Sequence, residues 1–198
     1  MESEIIGITA LYDINRHDRS FEFYIEKIKD LFRFKLPLII FCGQKTYLKL
    51  KDITRDSYTK FIVKELEDLK FYKNHLSEIT NNLTNPIYKT NVKHYGRIET
   101  VNPLYNIIQY SKFDFLCQVK TIIDCKNYMW IDAGVSRFFK QIPTTYWPNI
   151  NKLTSNKIIV QSFNQPEIQS KFKTDFYSAL TKINMHDECK DSRYLIIG

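Results

Sequence analysis

The sequence predicts an α/β protein, with a mostly parallel central sheet flanked by helices in a single domain over residues 1–198. Three observations predict it. Short runs such as residues 36–42 (L-P-L-I-I-F-C) and 128–131 (Y-M-W-I) are apolar throughout, the pattern of parallel strands covered on both faces. Stretches with helical periodicity alternate with these runs. A chain of 198 residues without an internal repeat or low-complexity linker suits one substantial core.

The first strand is expected over residues 4–11, where Ile5, Ile6, Ile8 and Leu11 surround Gly7 and Thr9. A polar loop, residues 12–19, follows it. Residues 21–32 form an amphipathic helix with Phe21, Tyr24, Ile25, Ile28, Leu31 and Phe32 on one face. Ser20 is its N-cap and Glu22 lies in its first turn. Residues 36–42 are the second strand, closed by Gly43, and residues 46–51 a short helix. Residues 59–63 read as a third strand from their β-branched content, or as the start of a helix through Leu69 and Tyr72.

Residues 74–97 lack clean periodicity and carry Asn85-Pro86 and Gly96. They are expected to be loops and a short helix, and irregular segments of that length are often functional. Asn102-Pro103 then starts a strong helix, Asn as N-cap and Pro at its first position, running to about Lys120. Asn127 precedes the strand ending at Asp132. Further strands are expected at residues 158–161 and 194–197, with a helix over residues 166–180.

Hydrophobic content of 43% and charged content of 26% are those of a soluble globular protein. The net charge of +7 and pI near 9.1 favour anionic partners. The basic residues are spread out with no dense Lys/Arg block, which makes nucleic acid an unlikely partner. Cys42, Cys117, Cys125 and Cys189 form no C-x-x-C pair, so reduced thiols in a cytoplasmic protein are the expectation. No run nears the ~18 apolar residues that span a bilayer, and acidic Glu2 and Glu4 open no signal peptide.

Candidate chemistry gathers where strands end. Asp132 closes an apolar strand and is followed by Ala133-Gly134, small residues that let a ligand approach the backbone. A carboxylate there binds a divalent cation or positions a sugar hydroxyl; the bland alternative is a turn or N-cap Asp. Arg137 reaches a phosphate or pairs with Asp132, or belongs to a surface ion pair. Lys112 sits mid-helix, facing either a diphosphate or solvent. The first loop offers Tyr12, Asp13, Asn15, Arg16, His17, Asp18 and Arg19, suited to a base and ribose or to a solvated turn. Tyr12, Trp130 and Trp147 are candidate stacking platforms or core aromatics. Walker, G-x-G-x-x-G, H-E-x-x-H and G-x-S-x-G motifs are all missing from the sequence.

The run Y-M-W-I-D-A-G at 128–134 resembles glycosyltransferases of the GT-A type, whose signature is a hydrophobic strand ending in Asp-x-Asp. With T-A-L-Y-D-I-N-R at 9–16, P-L-I-I-F-C-G at 37–43, N-P-L-Y-N-I-I-Q-Y-S-K at 102–112 and W-I-D-A-G-V-S-R-F at 130–138, the chain is similar to the HtrL/YibB family over roughly residues 5 to 140. The resemblance implies a GT-A-like, Rossmann-related domain that binds a nucleotide-sugar. Tyr12, Asp13, Asn15 and Arg16 would line the nucleotide pocket, Lys112 and Arg137 would meet the diphosphate, and Asp132 would orient the sugar or bind metal. The implied activity is sugar transfer to an unknown glycan, lipid or protein acceptor. Gly134 replaces the second Asp of the signature. A Mn²⁺ or Mg²⁺ ion on Asp132 is therefore one reading, and Arg137 with Lys112 in place of the ion is the other. Such domains typically continue past a strand like residues 194–197 into acceptor-binding elements, and this sequence stops at Gly198. The rival readings are a non-catalytic nucleotide- or sugar-binding module and, from charge alone, a nucleic-acid binder.

Overall fold

The computed structural model describes residues 4–92, 94–139, 159–160 and 194–197. These form a six-stranded sheet in the order β3-β2-β1-β4-β6-β5, and every pairing in it is parallel. The strands are β1 (Ile6–Leu11), β2 (Leu38–Cys42), β3 (Thr59–Val63), β4 (Tyr128–Ile131), β5 (Ile159–Val160) and β6 (Tyr194–Ile197). The helices are α1 (Phe21–Leu31), α2 (Gln44–Leu50), α3 (Lys70–Thr84), α4 (Pro86–Asn91), α5 (Ile98–Val101) and α6 (Pro103–Ile122), with 3₁₀ turns at Leu66–Asp68 and Val135–Phe138. Every residue of β1, β2 and β4 is buried.

Alternation along the strands splits the core into two layers. On one face Leu11, Leu38, Ile40, Cys42, Met129 and Ile131 pack with Ile25, Ile28 and Leu31 of α1 and Leu50 of α2. On the other, Ile6, Ile8, Ile39, Phe41, Tyr128 and Trp130 pack with Ile107, Phe115, Leu116 and Val119 of α6. Gly7 is needed on the first face, because a Cβ there would sit 2.7 Å from Leu38 Cδ2, 2.8 Å from Ile131 Cδ1 and 2.9 Å from Leu36 Cδ2.

Local signals operate as the sequence indicates. Ser20 Oγ accepts from Phe23 N at 3.1 Å, and Asn102 Oδ1 accepts from Tyr105 N at 3.1 Å, each starting its helix where a cap is expected. Residues 59–63 are a strand, not the start of a helix. Residues 74–97 require a correction: α3 is a 15-residue helix and Asn85-Pro86 opens α4. The Asn, Ser and Thr content of α3 gives little intrinsic helix preference. Its Phe71, Tyr72, Leu76 and Ile79 pack against the α6-side core, and such packing supplies most helix stability in proteins. The helix expected over residues 166–180, Trp147 and Cys189 lie outside the described residues.

The chain runs from β1 through α1 to β2 and through α2 to β3 on one side, then returns through α3–α6 to β4 on the other side of β1. The direction of winding reverses between β1 and β4, and a crevice opens outside their carboxyl ends, the usual ligand position in an open parallel sheet. No helix among the described residues is long and apolar enough to cross a membrane.

Candidate functional site

That crevice is lined from four directions: the end of β1 and its loop, Tyr24 of α1, the end of β4 with the turn after it, and one side of α6. Asp132 is the first residue past β4. Its Oδ1 accepts from Trp130 Nε1 at 2.7 Å and pairs with Lys112 Nζ at 3.0 Å. The Lys112 side chain is 12% exposed and that of Asp132 31%. Lys112 Nζ also lies 5.4 Å from the centre of the Trp130 ring, close enough for a cation–π attraction. Trp130 is stacked on Phe115 at 5.9 Å, and Phe115 lies 4.4 Å from Phe41. The indole is thus a core group whose N–H edge holds the strand-end carboxylate.

The β1 loop brings Arg16 in from the other side. Its guanidinium lies between the rings of Tyr24 on α1, 5.2 Å away, and Tyr105 on α6, 5.3 Å away. Two hydrogen bonds to Asp18, at 2.8 and 2.7 Å, complete its setting. Burial works against its charge, yet its pKa is raised because the Asp18 carboxylate together with Tyr24 and Tyr105 outweighs burial. The loop is tied down at its base, where Asn102 Nδ2 donates to Ile14 O at 3.0 Å and Thr46 Oγ1 to Leu11 O at 3.0 Å. Burial raises the Tyr105 hydroxyl pKa, and the Asp132 charge adds to it.

Arg137 lies on the turn after β4, and its Nη1 donates to Gly134 O at 2.9 Å. Ser136 Oγ donates to Lys27 O at 3.2 Å, which pins this turn to α1. Gly134 has φ −97° and ψ 9°, which any residue adopts; its need for glycine is steric. A Cβ there would run into Arg137 Nη1 and stand 3.0 Å from Tyr24 Cε1.

Of the residues singled out from sequence, Tyr12, Arg16, Lys112, Asp132, Gly134 and Arg137 line this one cleft. Asp13 and Asn15 do not. Asp13 pairs with Lys45 of α2 and accepts from Asn15 N at 3.2 Å; Asn15 itself adopts a left-handed φ of 50° and is exposed. The two shape the loop, and the Lys45 pairing holds the Asp13 carboxylate toward α2. Tyr12 and Trp130 are not stacking platforms, since they are only 7% and 1% exposed. The half-buried rings at the cleft are Tyr24 and Tyr105. Both look in sequence like apolar helix positions, and their one signal was a hydroxyl on an otherwise buried helix face. Arg19, whose Nη1 lies 3.4 Å from the Tyr24 hydroxyl, also lines the cleft.

No family model, curated protein or solved structure matches this chain. The functional reading therefore rests on the cleft.

The lining holds four cations, Arg16, Arg19, Lys112 and Arg137, and one carboxylate, Asp132. Such a cleft concentrates anions, and the tyrosines add flat apolar surface for a ring. It fits a divalent cation poorly. Among the described residues no three His, Cys, Asp or Glu side chains cluster. Oδ1 of Asp132 already meets two donors, one of them an ammonium that repels a second cation.

Proposed function

We propose that this chain is a nucleotide-sugar glycosyltransferase, GT-A-like and akin to the HtrL/YibB family, moving a sugar from a nucleoside diphosphate to a glycan, lipid or protein acceptor. The observation that carries the reading is the Lys112–Asp132 pair at the β1/β4 reversal, facing Arg16 between two tyrosines. A nucleotide-sugar is an anion between two ring systems, and the cleft supplies cations between flat surfaces. Lys112, Arg19 and Arg137 take the diphosphate and stabilise the negative charge that grows on it as the glycosidic bond breaks. Tyr24 and Tyr105, braced by Arg16, hold the nucleoside. Asp132 accepts from a sugar hydroxyl through Oδ2, which has no hydrogen bond to any described residue. The reaction belongs to the cytoplasm on this reading.

A panel of nucleotide-sugars in a thermal-shift assay, followed by measurement of nucleoside diphosphate release, tests it. At least one donor is expected to raise the melting temperature and to be turned over, and Asp132→Ala is expected to lower turnover at least about a hundredfold. A panel with no shift sinks the reading. One observation favours a second reading, a binding module without turnover: Asp132 is the sole carboxylate lining the cleft among the described residues, and it is already paired. Tight donor binding with no diphosphate released, even with added acceptors, selects that alternative.

A further inference from the structure

We infer that the cleft binds a diphosphate group without a divalent ion, with Lys112 held by Asp132 as a ready-made substitute for the metal. The inference rests on the anion-binding reading above and concerns how the anion is held. Three independent features carry it.

Charge is the first. Arg16 is neutralised by its two bonds to Asp18. Among the described residues the lining sets Lys112, Arg19 and Arg137 beside the single carboxylate Asp132, so an entering anion meets a positive field. A diphosphate entering this site meets that field without a metal, and the same field repels a dication.

Steric closure is the second. A metal shared between protein and diphosphate usually takes one or two carboxylates plus phosphate oxygens. The position two residues beyond Asp132, where a second carboxylate would stand, is Gly134. Any side chain there meets the ring of Tyr24 at 3.0 Å and the Arg137 guanidinium. Arg137 can swing aside, but the Tyr24 ring stacks on Arg16 and sits edge-on to Phe23 at 5.3 Å. A guanidinium lies where a metal-binding site would put its second anion.

The state of Asp132 is the third. Lys112 and Trp130 converge on the same oxygen, Oδ1, at 3.0 and 2.7 Å. The indole bond fixes the carboxylate, and the carboxylate fixes the ammonium. A half-buried Lys held this way loses little side-chain entropy when phosphate oxygens approach, so it is preorganised for them. Asp132 is then a positioning residue for Lys112 and a competitor with the anion for its charge.

The competition gives a test that metal ligation cannot mimic. Inorganic pyrophosphate is titrated into the whole protein by calorimetry in excess EDTA, then with Mg²⁺ or Mn²⁺. Binding is expected in EDTA, and added metal, which complexes pyrophosphate in solution, is expected to leave the apparent affinity unchanged or lower it. Lys112→Met is expected to weaken it about tenfold or more. Asp132→Asn, which keeps the shape and the indole bond but removes the competing charge, is expected to leave affinity unchanged or raise it. Binding that appears only with metal, an Asp132→Asn protein weakened about tenfold, a Lys112→Met protein with unchanged affinity, or no pyrophosphate binding at all each overturns the inference. The metal comparison needs no variant, so a misfolded mutant does not blunt it. Metal-free pyrophosphate binding without turnover of any nucleotide-sugar keeps the inference and sinks only the transferase reading. Turnover with metal-dependent pyrophosphate binding does the reverse.

Discussion

Asp132 and Tyr12 both stand just past the carboxyl end of a buried strand, and the fold treats them in opposite ways. Asp132 finds an indole donor and an ammonium, so its charge is kept where a ligand arrives. The Tyr12 hydroxyl is buried and has no hydrogen-bond partner among the described residues. Burial pushes its pKa up, with Cys42 and Glu65 adding to the effect. A buried hydroxyl without a partner carries its full desolvation cost. Tyr12→Phe is therefore expected to leave stability unchanged or raise it by about 1 kcal/mol in a urea melt. A loss of stability beyond that would show that the hydroxyl does bond in solution. Asp132 was readable in the sequence because a carboxylate ending an apolar run is a local pattern. Tyr24 and Tyr105 were not, because their helical periodicity marks a buried face and says nothing about which rings end at a cleft.

Helix α6 shows how one element can carry both core and site. Phe115, Leu116 and Val119 are fully buried against the sheet, while Lys112 and Tyr105 on the same helix reach the cleft. Asn102 sets its position twice, capping the helix through Oδ1 and holding the β1 loop through Nδ2 to Ile14 O. Asn102→Ala is expected to cost about 1–2 kcal/mol, at the upper end for a cap because two bonds are lost. It is also expected to weaken pyrophosphate binding, since Arg19 rides on the released loop. A variant that melts lower but binds as before would separate the two roles. Arg55 does comparable work at the amino end of the sheet. Its guanidinium donates to Phe32 O at 3.1 Å, Phe34 O at 2.9 Å, Leu36 O at 3.0 Å and Thr59 Oγ1 at 2.6 Å. Burial lowers its pKa to about 10, still far enough above neutral for it to stay charged. Nothing in the sequence around Arg55 marks this role, because its partners come from the α1–β2 connection and from β3.

The described structure as a whole places basic side chains around a reversal in winding, with their acidic partners in the loop beside it. Asp13 and Asp18 have pKa values lowered, the first mainly by Lys45 and the second mainly by Arg16. A carboxylate depressed in the folded state adds stability above the unfolded pKa and loses it as pH falls through the folded value. The urea midpoint is therefore expected to be flat from about pH 7 to 5 and to fall below about pH 4. Each pair contributes on the order of 0.5 kcal/mol, the scale of solvent-facing ion pairs. Asp13→Asn with Asp18→Asn should shrink the acid-side loss; an unchanged profile in the double variant would assign the loss to other carboxylates. Strand runs, the caps at Ser20 and Asn102, and the strand-end Asp132 were legible in the amino-acid order because each depends on residues within a few positions. The length of α3, the ring pair around Arg16, the Lys112–Asp132 bond and the pairing of Asp13 with Lys45 of α2 came only with three dimensions. Each joins residues about 20 or more positions apart in the chain, or rests on packing between separate elements. Which of them meet depends on β4 lying beside β1, and no local pattern states the order of strands in a sheet.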